Sequence, residues 1–124
     1  MTNQQPSIQF FENVPEELDG VSLRRNRTSG ARIVVMVFRQ LEAISQFKSF
    51  RHQFSKSMKL IDSEGEIQVE PSSVKFYFVG PEGDDFDRME CRFEIDQEDH
   101  WERFTRFMER YAAANNLEYG ERTN

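Results

Sequence analysis

Cys91, His52 and His100 are the residues best suited by type to nucleophilic, proton-transfer or metal chemistry. A zinc site needs three or four converging ligands. Neither histidine has a Cys or a second His at ligand spacing, and Asp96 offers the His100 ring a hydrogen bond only. Cys91 alternates with Met89, Phe93 and Ile95, which places its thiol on an apolar strand face. A reactive thiolate needs an exposed, electropositive niche instead. Asp84, Asp85 and Asp87 gather in one short stretch but lack the ligand spacing of a calcium loop. No Lys-Ser/Thr follows the glycines of "GPEGDD", so no phosphate loop is formed. A Gly-x-Ser-x-Gly elbow is also missing. The chain is therefore expected to be non-catalytic and without a metal site.

Charge is the stronger signal. Residues 21–60 hold nine Lys/Arg (Arg24, Arg25, Arg27, Arg32, Arg39, Lys48, Arg51, Lys56, Lys59) against Glu42 alone, a balance of +8. Residues 61–124 hold seven Lys/Arg against seventeen Asp/Glu, a balance of −10. Two readings follow: mutual neutralisation in the fold, or a docking surface for something anionic. Nucleic acid is a weak candidate. The phenylalanines at 47–54 are spaced for a buried helix face, and the downstream acids repel phosphate.

These groups must be positioned by a fold. With 124 residues, 37% hydrophobic and 31% charged, the chain is expected to form one domain over 1–124, with 1–7 and 119–124 as loose tails. The longest apolar run is Ile33–Phe38, far short of the roughly 20 residues of a spanning helix. No basic segment leads into an apolar one near Met1, so no signal peptide is expected. A lone cysteine fits a reducing compartment. "IQFF" (8–11) reads as a strand, and "ENVPEELDG" as a loop. Residues 21–38 read as a hairpin turning at "RTSG". Leu41, Ile44, Phe47, Phe50 and Phe54 then recur at helical spacing, which predicts an amphipathic helix over 39–56. "MKLID" and "EIQVE" flank Ser63-Glu64-Gly65 as a second hairpin, and Pro71 ends it. "VKFYFV" and "FDRMECRFEI" alternate as half-buried strands.

The chain closes on "WERFTRFMERYAAANNLEYG" (101–120), a helix. Asp96 is expected to cap its start, with acids in the first turn and Asn115-Asn116 at its end. Trp101, Phe104, Phe107, Met108 and Tyr111 form an apolar stripe that must lie on the sheet. Trp101→Ala would cost about 3–5 kcal/mol if that ring is fully buried. Arg103, Arg106 and Arg110 form a ridge away from the stripe. Glu102 and Arg106 are placed as an i,i+4 pair, and the ridge could instead meet a partner's carboxylates. The fold class is α+β: an antiparallel sheet of hairpins, a shorter middle helix, and a long C-terminal helix across the sheet.

The closing helix resembles the C-terminal signature of the Psb twenty-eight proteins, soluble assembly factors of photosystem II, through Trp101, Arg103, Phe104, Arg106 to Ala112, Asn115 and Leu117. "IQF" resembles the family's opening strand. "VSLRRNRTSGARIVVMVF" resembles its basic hairpin, and "MKLIDSEGEI" its Asp-x-Glu-Gly-Glu hairpin. Three stretches depart from the family pattern: the Phe-rich basic segment 39–57, "PSSVKFYFVGPEGDD", and Asn116 where Gly is usual. They suggest a divergent second paralogue of the kind some cyanobacteria carry.

The resemblance implies a non-catalytic, cofactor-free protein, monomeric when free. It would bind the cytoplasmic face of immature photosystem II at the thylakoid membrane, near the inner antenna and the reaction-centre core. It would leave before maturation and bind no nucleic acid. Strand addition to a sheet edge would capture an extended peptide, and Arg24, Arg25, Arg27 and Arg32 would meet acidic loops or anionic headgroups at the membrane surface. Arg103, Arg106 and Arg110, with the helix end at Asn115 and Leu117, would complete the surface. A general interaction module for another membrane complex, or an RNA-binding domain, are the alternatives.

Overall fold

The computed structural model describes residues 5–11, 13–42 and 57–117. Among them are strands β1 (Ser7–Phe11), β2 (Val14–Glu16), β3 (Gly20–Arg25), β4 (Arg32–Phe38), β5 (Met58–Asp62), β6 (Gly65–Val69), β7 (Ser73–Val79) and β8 (Asp85–Ile95), followed by helix α1 (Glu98–Asn115). The α+β class and the packed C-terminal helix agree with the sequence reading. The strands form two sheets, however, each of four antiparallel strands: β2-β1-β5-β6 and β3-β4-β8-β7. Successive hairpins alternate between the sheets. Pro71 lies at the crossing from β6 to β7, where its missing N–H breaks any continuing ladder.

One expected loop is in part a strand. A short strand, β2, lies inside "ENVPEELDG" and turns back on β1 after Asn13, whose φ of 66° an asparagine tolerates. The middle helix expected over 39–56 lies, for residues 43–56, outside the described residues. Residues 39–42 form a bend and a turn.

Side-chain alternation decides what is inside. β4 and β8 pair Val34 with Phe93, Met36 with Cys91 and Phe38 with Met89, all buried. Ile8 and Phe10 from β1 and Met58 and Leu60 from β5 face them from the other sheet. Helix α1 closes the core with Phe104, Phe107, Met108 and Tyr111. Edge-to-face rings join the layers, Phe10 to Phe38 at 5.4 Å and Phe93 to Phe104 at 5.7 Å. The Tyr111 hydroxyl, deep in this core, accepts the Leu18 N–H at 2.9 Å and donates to the Glu16 carbonyl at 3.3 Å. That pair of bonds ties the helix to the linker between β2 and β3.

The helix starts one residue later than expected. Its N-cap is Gln97, without a side-chain capping bond. The reason lies in β8, which stays paired to β4 as far as Ile95 opposite Arg32, so Asp96 is used in leaving the sheet. The expected end is found: Asn116 takes the left-handed conformation at φ 55°, ψ 38°, as an asparagine C-cap can.

Candidate functional site

The basic hairpin β3–β4 presents Arg24 and Arg25 at the end of edge strand β3 and Arg27 in its turn, all exposed. The turn is held internally. Asn26 Oδ1 accepts the N–H groups of Thr28 and Ser29 at 2.9 and 3.2 Å, and Gly30 N–H donates to the Asn26 carbonyl at 2.7 Å. Gly30 has φ 78°, which its lack of a Cβ permits. Among the described residues none of these three guanidiniums has a carboxylate partner. Among the described residues no strand pairs with the outer side of β3, which leaves a row of backbone N–H and C=O groups along that edge.

Arg32, expected among the exposed cations, is engaged within the chain. Its Nη1 donates to Glu98 at 2.9 Å, and its guanidinium lies 4.6 Å from the centre of the Trp101 ring. β4 brings Arg32 opposite Ile95 at the sheet end from which the helix departs, so cation and indole meet there. Trp101 is half-buried under that guanidinium, not sealed in the core. Trp101→Ala is therefore expected to cost about 2 kcal/mol, well below the loss for a fully buried ring. Urea unfolding of this variant beside Arg32→Ala and the double variant checks it. Equal losses for the double variant and the sum of the singles would mean that the two side chains do not interact.

The ridge on α1 is also occupied. The β5–β6 turn reads Asp62-Ser63-Glu64-Gly65. Asp62 shares its strand face with Met58 and Leu60, so period-2 alternation points the carboxylate inward, where its side chain is 0% exposed. Arg103 grips it with two bonds, Nη1 to Oδ2 at 3.0 Å and Nη2 to Oδ1 at 2.6 Å. Arg110 adds a third at 2.9 Å, and the Glu64 N–H a fourth at 3.0 Å. Arg106 grips Glu64 through Nε at 2.8 Å and Nη2 at 3.1 Å, and Arg110 also donates to Glu64. Thus Arg106 meets Glu64 and not the expected Glu102. Burial alone would raise the Asp62 pKa, but the bonds from Arg103, Arg110 and the Glu64 amide hold it below the ordinary aspartate value. Glu64 is held at about 2, first by Arg106 and then by Arg110. The arrangement is an electrostatic latch between helix and hairpin.

At the helix end, Asn115 is exposed and its Nδ2 donates to the Tyr111 carbonyl at 2.9 Å. Leu117 packs against the core, with its N–H on the Ala112 carbonyl at 3.0 Å. Cys91 is buried, and burial pushes its thiol up to about 12, which keeps it protonated and inert. His100 is exposed beside an open groove of about 470 Å³ between β6 and the start of α1, with Glu70, Asp96, Val69 and Ile95 among its walls. His52 lies outside the described residues. Among the described residues no group of three or more His, Cys, Asp or Glu is placed to hold a metal ion.

Both sheets, the basic hairpin and the latch fall within one match: the family model described as "Psb28 protein" aligns with residues 8–119. The chain belongs to the Psb28 family. It is similar to proteins named "Photosystem II reaction center Psb28 protein" from Nostoc sp. (strain PCC 7120 / SAG 25.82 / UTEX 2576), at 34% identity covering 92% of this chain and 96% of the relative. The same name is carried by relatives from Synechococcus sp. (strain JA-3-3Ab), at 30% identity over 90% of this chain and 95% of the relative, and from Cyanophora paradoxa, at 30% over 94% and 97%. Within the Psb28 fold, then, the nine nominated residues divide. Arg24, Arg25 and Arg27 form an open basic end. Arg32, Arg103, Arg106, Arg110, Asn115 and Leu117 each have partners in the chain.

Sequence reasoning missed the latch and the Tyr111 anchor. A signal for the latch was present: Asp62 and Glu64 in the "DSEG" turn and three arginines at i, i+3 and i+7 of the helix. Nothing local says that the two surfaces meet.

Proposed function

We propose that this protein is a non-catalytic accessory protein of photosystem II. In this reading the chain acts as one domain on the cytoplasmic face of immature complexes, near the inner antenna and reaction-centre core. It is peripheral to the thylakoid membrane and departs before the complex matures. Family membership and the names of the relatives support the photosystem II association. Among the described residues no helix is long and apolar enough to cross a membrane, which fits a peripheral protein. The observation that carries the binding mode is the edge strand β3, with Arg24 and Arg25 on it and Arg27 beyond, none of them paired with a carboxylate among the described residues. An extended peptide added to this edge gains main-chain bonds, and the guanidiniums select acidic side chains or anionic headgroups beside it. The latch arginines act indirectly, by fixing the helix against β5–β6.

Tagged wild-type and Arg25→Glu/Arg27→Glu proteins, mixed with detergent-solubilised thylakoid membranes, test the reading. The wild type is expected to recover photosystem II core subunits without the extrinsic oxygen-evolving proteins. The double variant, still folded by circular dichroism, is expected to lose at least about tenfold in recovery. Equal recovery by both would remove the basic edge from the interface. Recovery of RNA or of an unrelated complex by the wild type would overturn the photosystem reading.

A further inference from the structure

β8 runs from Asp85 to Ile95 and spans roughly 35 Å at the rise of a strand. Its Ile95 end lies beside the basic β3–β4 turn, since Arg25 faces Arg32 and Arg32 faces Ile95. At the other end the β4 pairing stops at Phe38 opposite Met89, and the β7–β8 hairpin runs on past it. That projecting tip has the opposite charge: Glu82, Asp84 and Asp85 are exposed on it, and Asp87 behind them is spent on Arg88 at 2.6 Å. It also carries Phe78 and Val79, 49% and 50% exposed. Isolated exposed apolar side chains need no explanation. These two are consecutive on β7 and so stand on opposite faces of the tip, and the tip itself is braced. The Phe78 ring leans edge-on against Phe86 at 6.0 Å. Gly83 N–H closes the turn on the Gly80 carbonyl at 3.1 Å. The Asp85 carboxylate packs where a Cβ on Gly80 would stand, and Gly80 holds φ 98°. A register irregularity at Tyr77/Phe78 twists the arm just below the tip and spoils it as a flat edge for further strands.

From the braced tip, with an exposed apolar side chain on each of its faces and an acidic collar, at the pole of the sheet opposite the basic turn, we infer that the β7–β8 tip is a second docking point, for a Lys/Arg-rich cytoplasmic loop of the membrane-embedded complex. This rests on the proposed reading above. Cytoplasmic loops of membrane proteins carry an excess of Lys and Arg, which the collar attracts, while a buried apolar contact at Phe78 and Val79 supplies affinity. The collar repels anionic headgroups and nucleic acid alike. Two contacts of opposite sign about 35 Å apart accept one orientation of the protein and reject its reverse.

The test measures binding of the purified chain to isolated photosystem II assembly complexes that lack it, over a range of NaCl concentrations. Phe78→Ser/Val79→Ser and Glu82→Lys/Asp84→Lys are each expected to lower affinity by about tenfold or more while melting like wild type. The lysine variant is also expected to show a changed salt dependence, which a purely apolar contact would not give. Wild-type affinity in both tip variants, with Arg25→Glu/Arg27→Glu still impaired, overturns the second docking point and leaves the photosystem reading intact. No binding by the wild type overturns both. Two further outcomes overturn it in favour of another occupant. One is wild-type self-association in sedimentation that Phe78→Ser/Val79→Ser abolishes, which assigns the tip to a second copy. The other is tip-dependent binding to protein-free phosphatidylglycerol vesicles, which assigns it to lipid.

Discussion

Phe107→Ala is expected to lower the stability of the fold by about 3–5 kcal/mol, the range for emptying a buried phenylalanine site. The ring is 0% exposed and stacks on Tyr111 at 5.9 Å, in the core layer where α1 covers both sheets. Collapse into the space is hindered from each side, because Tyr111 is fastened by hydroxyl bonds to the β2–β3 linker and the latch fixes the helix to β5–β6. A cavity that cannot collapse keeps its full cost. Typical domains have only about 5–15 kcal/mol in hand, so the variant is expected to melt more than about 10 °C below wild type. Differential scanning calorimetry reads this directly, with Glu109→Ala, exposed on the same helix, as a control expected within about 0.5 kcal/mol of wild type. A Phe107→Ala loss under about 1 kcal/mol would mean that the helix is not seated as described.

Asp62→Ala comes next, at about 3 kcal/mol. Deleting the carboxylate removes bonds from Arg103, Arg110 and the Glu64 amide together. It also leaves the Arg103 guanidinium, 21% exposed, with only the Gly65 carbonyl at 3.3 Å and the more distant Glu64 at 3.7 Å, and with the Arg110 cation beside it. Breaking one side of a buried ion pair costs more than forming the pair gains, because the orphaned charge stays desolvated. Asp62→Asn keeps the volume and an acceptor oxygen, and its loss is expected to be smaller. The pH profile separates charge from packing. Both carboxylates titrate lower in the fold than when free, Asp62 through its arginine and amide bonds and Glu64 from 4.5 to about 2. Groups depressed on folding stabilise the protein at pH above their unfolded values, and that contribution is lost as pH falls through the folded ones. Wild-type stability is therefore expected to decline between about pH 4.5 and 2, with a shallower decline in Asp62→Asn. Parallel acid limbs for the two proteins in urea titrations would show that Asp62 contributes packing and not charge.

Both effects depend on contacts that local pattern does not encode. Periodicity placed the β5–β6 hairpin and the helix, and even the two residue sets of the latch, but Asp62 and Arg103 are 41 positions apart in the chain. A local reading of Arg106 paired it with Glu102 on its own helix, whereas the fold supplies a two-bonded Glu64. Arg32 and Trp101 were each read alone, as an exposed cation and a core ring. Their stacking exists because the β4–β8 register sets Arg32 where the helix leaves the sheet. In the same way the charge imbalance between the two halves held two readings at once. The latch realises neither in full: its arginines and carboxylates both come from the acidic half, while Arg24, Arg25 and Arg27 stay open.

By itself, then, the sequence determined the β1, β3–β4, β5–β6, β7 and β8 strands and the closing helix, the β8 face carrying Met89, Cys91 and Phe93, the apolar stripe of α1 and its asparagine cap, and, through "WERFTRFMERYAAANNL", the family. All of these are short-range, because side-chain period and capping chemistry act within a few residues. Tertiary structure alone decided that the strands divide into two sheets, that the helix arginines meet Asp62 and Glu64 of the β5–β6 turn, and that the basic turn and the acidic, apolar tip lie at opposite ends of β8. Sheet pairing and charge neutralisation act between residues distant in sequence, so they take definite form only when the core brings those residues together.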